Sequence, residues 1–189
     1  MIQLWHGGSR WIGRPEVQAP KKGRCECGPG IYLTSNYQRA RKYAAGNKVT
    51  TLVSLADNIR WLEDAKLPLQ DLVDFLDNAP RLKGRHSIKE DFLLRCVARE
   101  MAMTDPCPVS YLVNVLINTD ALVGKVGLFL ADWLVAKGID ASLHRPMGQE
   151  QWVIVFNPEV ICKYQVIPAA SVKLDQYDLP PIELPGDAG

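Results

Sequence analysis

The chain has 189 residues, 47% of them hydrophobic and 23% charged, with a formal net charge of +1. That length suffices for one well-packed domain and is short for two. The near-neutral balance argues against a dedicated nucleic-acid binder, and no apolar run reaches the length of a transmembrane helix. The start, Met1-Ile2-Gln3-Leu4-Trp5-His6, lacks the basic and apolar regions of a signal peptide, so a soluble cytoplasmic protein is expected. Five scattered cysteines suit a reducing compartment better than a disulfide framework. Cys25 and Cys27 are separated by one residue, which is not zinc-site spacing, and no metal is expected.

In chain order, Gln3 to His6 suits a short strand, and a polar, Gly- and Pro-bearing loop follows to Gly30. Ile31 to Thr34 predicts a second strand. Ser35 and Gln38 fit a capping box for a helix carrying Tyr37, Ala40, Tyr43 and Ala44, ended by Gly46. Val49 to Leu55 reads as a third strand. The centre reads as helical: Leu67 to Leu76, a helix from the Ser87/Glu90 box to about Met103, and Val109 to Ile117. Thr119 is placed as the cap of a longer helix through Phe129 and Trp133, ended by Gly138. Ile139 to His144, Gln151 to Phe156 and Ile161 to Ile167 then predict three closing strands. The order predicts an α+β fold in a single domain over 1–175, with a helical insertion over about 59–137. The tail, 176–189, carries Pro180, Pro181, Pro185 and Gly186 and reads as flexible.

Three stretches carry chemistry: Leu4-Trp5-His6-Gly7-Gly8-Ser9-Arg10, then Gly28-Pro29-Gly30-Ile31-Tyr32-Leu33-Thr34, then Tyr43. A histidine beside glycines offers a ring that can hydrogen-bond a sugar hydroxyl and a backbone that can approach a flat amide closely. Two later tyrosines can close on a flat ring from either side. The basic clusters Lys21/Lys22/Arg24, Arg39/Arg41/Lys42 and Arg81/Lys83/Arg85 read as solvated faces. The five tryptophans read as core or loop anchors, and His86 and His144 are given no role in the site.

These residues, together with Glu150-Gln151-Trp152-Val153-Ile154-Val155-Phe156, resemble the diphtheria-toxin and PARP branch of ADP-ribosyltransferases, which is labelled by a His-Tyr-Glu triad. The likeness covers about residues 1–55 and 138–167 and rests on the order and spacing of the pieces together. Gly138-Ile139-Asp140-Ala141 and Phe156-Asn157-Pro158-Glu159 are similar to small bacterial and phage members. The resemblance implies a split β-sandwich of short strands around an NAD cleft. It gives His6 the adenosine-side ribose, the Gly7 backbone the nicotinamide carboxamide, and Tyr32, the second triad member, a place opposite Tyr43 across the nicotinamide. Where the family often has a serine, this chain has Ala40. Arg10 and Arg14 are candidate pyrophosphate partners.

The third triad position stays open between neighbours. Counting back from Val160 lands on Gln151, whereas counting back from Phe156-Asn157-Pro158 lands on Trp152, which lacks the chemistry. Gln151 is the first choice and Glu150 the second. Gln151 and Trp152 must face opposite ways along a strand. Breaking the nicotinamide–ribose bond develops oxocarbenium-like charge, which a carboxylate stabilises and a neutral amide does not.

The resemblance implies a mono-ADP-ribosyltransferase that uses NAD as co-substrate and modifies a macromolecule. Protein, RNA and DNA all remain open as acceptors. A toxin-like or defence role is expected, with an antitoxin or inhibitor protein as a candidate partner and no membrane. The alternatives are a non-catalytic NAD- or ADP-ribose-binding module and an NAD glycohydrolase.

Overall fold

The computed structural model describes residues 1–23, 25–44, 49–98, 106–146 and 148–184. Arg24, the helix-ending Gly46, the expected helix end at Met103, and Pro185 and Gly186 lie outside the described residues. The elements run β1 (Ile2–His6), β2 (Ile31–Thr34), α1 (Tyr37–Tyr43), β3 (Val49–Leu55), β4 (Lys66–Leu67), α2 (Leu69–Asn78), α3 (Arg85–Ala98), β5 (Cys107–Pro108), α4 (Val109–Asn118), α5 (Lys125–Ala136), β6 (Ala141–His144), β7 (Trp152–Val155) and β8 (Ile161–Pro168). The fold is mixed α+β. Among the described residues no helix is long and apolar enough to cross a membrane.

Six strands form one antiparallel sheet in the order β6-β7-β2-β1-β3-β8, and β4 and β5 form a separate small ribbon. The sheet has a seam. β1 pairs with β3 from Ile2 to His6, and β2 pairs with β7 from Ile31 to Thr34, yet the backbone ladder between β1 and β2 is one pair, Trp5 with Thr34. Two three-stranded halves are therefore joined by a single ladder pair.

Strand alternation sorts the side chains onto two faces. Leu4, Ile31, Leu33, Val53, Val153 and Val155 form an apolar layer on one face, covered in part by Ile182 and Leu184. Trp5, Tyr32, Thr34, Trp152 and Ile154 belong to the other face, because residues directly opposite in an antiparallel ladder share a face. There the β2/β7 half packs on the cluster built by α2 to α5, while Trp5 of the β1/β3/β8 half packs on Tyr37 and Ala40 of α1.

Several helix boundaries differ from expectation for local reasons. Asn36, not Ser35, caps α1: its side-chain oxygen accepts from the Arg39 N–H at 2.9 Å. Ser35 Oγ accepts instead from the Gln151 N–H at 2.9 Å. α3 starts at Arg85, and Ser87 Oγ donates to the Gly84 carbonyl at 3.0 Å rather than opening the helix. Thr119 closes α4, its hydroxyl donating back to the Val115 carbonyl at 2.8 Å. α5 opens after Gly124, whose φ of 67° suits glycine and strains other residues.

The segment after 175 is a correction. Ile182 and Leu184 are buried against the sheet, so the expected flexible tail is docked through Leu184. The prolines stiffen this segment, and two apolar side chains with an uncovered sheet face give it somewhere to bind.

Candidate active site

A pocket of about 490 Å³ opens where β1 and β2 part, with Gly7, Tyr32, Arg39, Lys42, Tyr43 and Trp152 in its walls. Gly7 is required there by close approach. A Cβ on it would lie 1.8 Å from the Ala40 carbonyl oxygen, so the strand end meets α1 backbone to backbone. Ala40 itself is buried with Trp5 and Tyr37.

His6 stands at the seam rather than in the pocket wall. Its Nδ1 lies 3.0 Å from the Tyr32 carbonyl oxygen, which can only accept, so Nδ1 carries the proton and Nε2 is left as an acceptor. The ring stacks on Trp11 at 4.5 Å. Burial lowers its pKa, against a smaller raising effect from the Tyr32 carbonyl, and this favours the neutral ring at pH 7. The imidazole thus takes up a strand carbonyl just past the point where β1 and β2 separate.

Tyr32 is held at its far end. Its hydroxyl donates to the Gly28 carbonyl at 2.7 Å and accepts from the Cys27 N–H at 3.2 Å. Burial pushes the phenol well above its ordinary pKa, so it stays protonated. Tyr43 is 63% exposed at the rim. It shares a helical stripe with Arg39 and Lys42, at i, i+3 and i+4, and this stripe forms one wall of the pocket.

The two triad candidates separate cleanly. Gln151 is buried on the face of Val153 and Val155, away from the pocket, and its amide is spent on Ile182: Nε2 donates to the Ile182 carbonyl at 2.9 Å, and Oε1 accepts from the Ile182 N–H at 2.6 Å. This corrects the first choice, because alternation from Trp152 turns Gln151 to the opposite layer. Glu150 lies on the pocket side. Its carboxylate accepts from Thr34 Oγ1 at 3.1 Å, from Arg39 Nε at 3.1 Å and Nη2 at 3.2 Å, and from the Trp152 indole N–H at 2.5 Å. The Arg39 guanidinium also sits over the Trp152 ring, 5.7 Å from its centroid. Burial alone would raise the Glu150 pKa. Hydrogen bonds from Arg39 and Trp152, the Arg39 charge and the Thr34 hydroxyl outweigh it and hold the carboxyl below its ordinary value.

The arginines expected at the pyrophosphate are placed elsewhere. Arg10 is exposed and absent from the pocket wall, and Arg14 pairs with Glu159. Cations do line the pocket, but they are Arg39 and Lys42 from the cluster read as a solvated face. Trp152, read as a core anchor, is likewise a wall residue. The signal for Arg39 was its place one helical turn before Tyr43, and for Trp152 its alternation with Glu150.

Other reactive groups are quiet. Burial pushes the Cys25 and Cys27 thiols up to about 11, so neither is a ready nucleophile at neutral pH. His144 shares the face of its partner Trp152 and bonds Ser142 Oγ at 3.0 Å, and burial lowers its pKa. Among the described residues no group of three His, Cys, Asp or Glu side chains is placed to hold a metal ion. No protein-family model, curated protein or solved structure matches this chain.

Proposed function

We propose that this chain is an NAD-cleaving enzyme of the ADP-ribosyltransferase class, a reading supported by a sheet seam with a pocket opening beside it. More particularly, we read it as a mono-ADP-ribosyltransferase that transfers ADP-ribose from NAD to a macromolecule in a toxin-like or defence role. The observation that carries this reading is convergence. Gly7, Tyr32 and Tyr43, chosen from sequence for one ligand, line one pocket, and a carboxylate is fixed to three of that pocket's wall residues, Thr34, Arg39 and Trp152. The volume lies in the range of small-molecule sites.

On this reading the nicotinamide ring lies between Tyr32 and Tyr43, with its carboxamide on the Gly7 backbone. The His6 imidazole, its tautomer set by the Tyr32 carbonyl, offers Nε2 to a ribose hydroxyl. The bond from the ribose anomeric carbon to the nicotinamide nitrogen breaks, and its electron pair leaves on nicotinamide. Glu150, kept ionised by Arg39, Trp152 and Thr34, stabilises the positive charge on the sugar and accepts the proton of the incoming nucleophile. Lys42 and the free edge of Arg39 are the cations available to phosphate.

One observation favours the binding module as the second reading: both oxygens of Glu150 already accept hydrogen bonds from the protein. Nicotinamide release from NAD decides between them. Wild type is expected to release nicotinamide, with His6→Ala and Tyr32→Ala weakened and Glu150→Gln lowered by at least about a hundredfold, as when a transition-state electrostatic group is lost. Tight NAD binding without release would establish the module. Labelled NAD offered with separate protein, RNA and DNA pools identifies the acceptor, and release without labelling of any pool identifies a glycohydrolase.

A further inference from the structure

We infer that Gln151 is a positioning residue: clasped to the C-terminal segment at Ile182, it sets the entry to β7 so that Glu150 faces the pocket. This rests on the catalytic reading of Glu150.

Glu150 stands two residues ahead of β7, at the end of an exposed loop, where a turn of the backbone by one residue would exchange its place with that of Gln151. Four hydrogen bonds on Gln151 oppose that exchange. Its N–H donates to Ser35 Oγ and its carbonyl accepts from the Ser35 N–H, both at 2.9 Å. Its side chain adds the two bonds to Ile182, the amide standing in for a neighbouring strand. Ser35 directly follows Thr34, whose hydroxyl holds the Glu150 carboxylate from the other side.

An amide in this layer is chemically unexpected. Val153 and Val155 share its face, and Ile182 and Leu184 cover it, so an apolar side chain would suit the layer but would leave the Ile182 N–H and carbonyl without the partners the amide gives them. A buried amide bonded both ways to a single residue instead selects one register between β7 and the tail. The same segment reaches the rest of the frame. The Gln176 carbonyl accepts from the Trp5 indole at 2.9 Å, the Tyr177 carbonyl accepts from the Tyr37 N–H at 2.8 Å, and the Leu179 N–H donates to the Ser35 carbonyl at 2.9 Å. The C-terminal strap thus grips β1 and the start of α1 through residues 176–179 and the entry to β7 through Ile182.

The test is a double-mutant cycle on full-length protein, with nicotinamide release as one readout and the Trp152 indole proton, assigned with Trp152→Phe, as the other. Gln151→Ala is expected to lower kcat about tenfold with KM for NAD nearly unchanged, and to have no further effect in a Glu150→Gln background. Equal loss in both backgrounds would mean a general structural role and overturn the inference. The indole proton, bonded to Glu150, is expected to move in Gln151→Ala toward its position in Glu150→Ala. An unmoved indole overturns the inference whatever the turnover. Full turnover in Glu150→Gln would instead sink the catalytic reading, leaving the indole to judge the positioning. If Gln151→Ala does not fold, Ser35→Ala, which removes one acceptor from the same residue, takes its place in both measurements.

Discussion

Replacing Arg39 by Gln removes the charge that faces Glu150 while keeping a polar side chain at the pocket wall. The guanidinium is 38% exposed and the carboxylate 14%, with contacts at 3.1 and 3.2 Å. Two unit charges at ~4 Å attract by ~4 kcal/mol at an effective dielectric of ~20, but solvent screening and the entropy of fixing an exposed arginine reduce the net value to about 1 kcal/mol. For a chain of this size that corresponds to a fall in Tm of about 2–4 °C. The pH dependence has a definite sign. The folded-state pKa of Glu150 lies below its ordinary value, so this stabilisation is complete above the ordinary glutamate range, near pH 4.3, and is lost as pH falls through the lowered folded value. Urea unfolding of wild type and Arg39→Gln from pH 7 to pH 3 is therefore expected to show a constant gap down to about pH 5, shrinking below about pH 4. Arg39→Lys, which keeps the charge and loses the fork, is expected to fall between the two. A gap that is absent at pH 7, or that persists undiminished in acid, would refute the ion-pair argument.

Gly7→Ala places a methyl group 1.8 Å from the Ala40 carbonyl oxygen, so α1 must move. A loss of about 3 kcal/mol or more in urea unfolding is expected, since the obstacle is backbone rather than a flexible side chain. Tyr32→Phe strands the Cys27 N–H and the Gly28 carbonyl and is expected to cost about 1–2 kcal/mol, whereas the exposed Tyr43→Ala is expected to change stability by less than about 0.5 kcal/mol while weakening NAD binding measured by calorimetry. Iodoacetamide at pH 7.5, followed by peptide mass mapping, is expected to label the exposed Cys162 well before Cys25 and Cys27. Labelling of the latter pair should accelerate as pH rises toward about 11.

Much of the frame was legible because it is local. β2 and the stripe on α1 are written in alternation and helical spacing, and Tyr32 and Tyr43 reach the same pocket. The boundary errors came from side chains with two local options: Ser35 and Ser87 both resemble caps, but one serves Gln151 and the other a turn carbonyl. The choice between Glu150 and Gln151 was not local at all. Alternation placed them on opposite sides, but only the pairing of Trp152 with Thr34 says which side holds the pocket. Arg39 lies 111 positions from Glu150, and Gln151 lies 31 from Ile182, so no short-range pattern announces either clasp. The tail was misread because proline content marks stiffness as readily as disorder, and the sheet face that binds it is assembled from distant strands.

The single-pair seam between β1 and β2 also constrains how the protein is made. Each half of the sheet is completed only over a long stretch of sequence: β2 waits for β7, and β3 for β8. Such pairings carry high contact order and form slowly, so β2 and β3 leave the ribosome long before these partners exist. The pocket wall that holds Tyr32 and the carboxylate that serves it are 118 positions apart, and the strap that fixes that carboxylate is synthesised later still. A partial chain has no assembled cleft. On the proposed reading, turnover would be withheld during translation until the chain through Ile182 has been made.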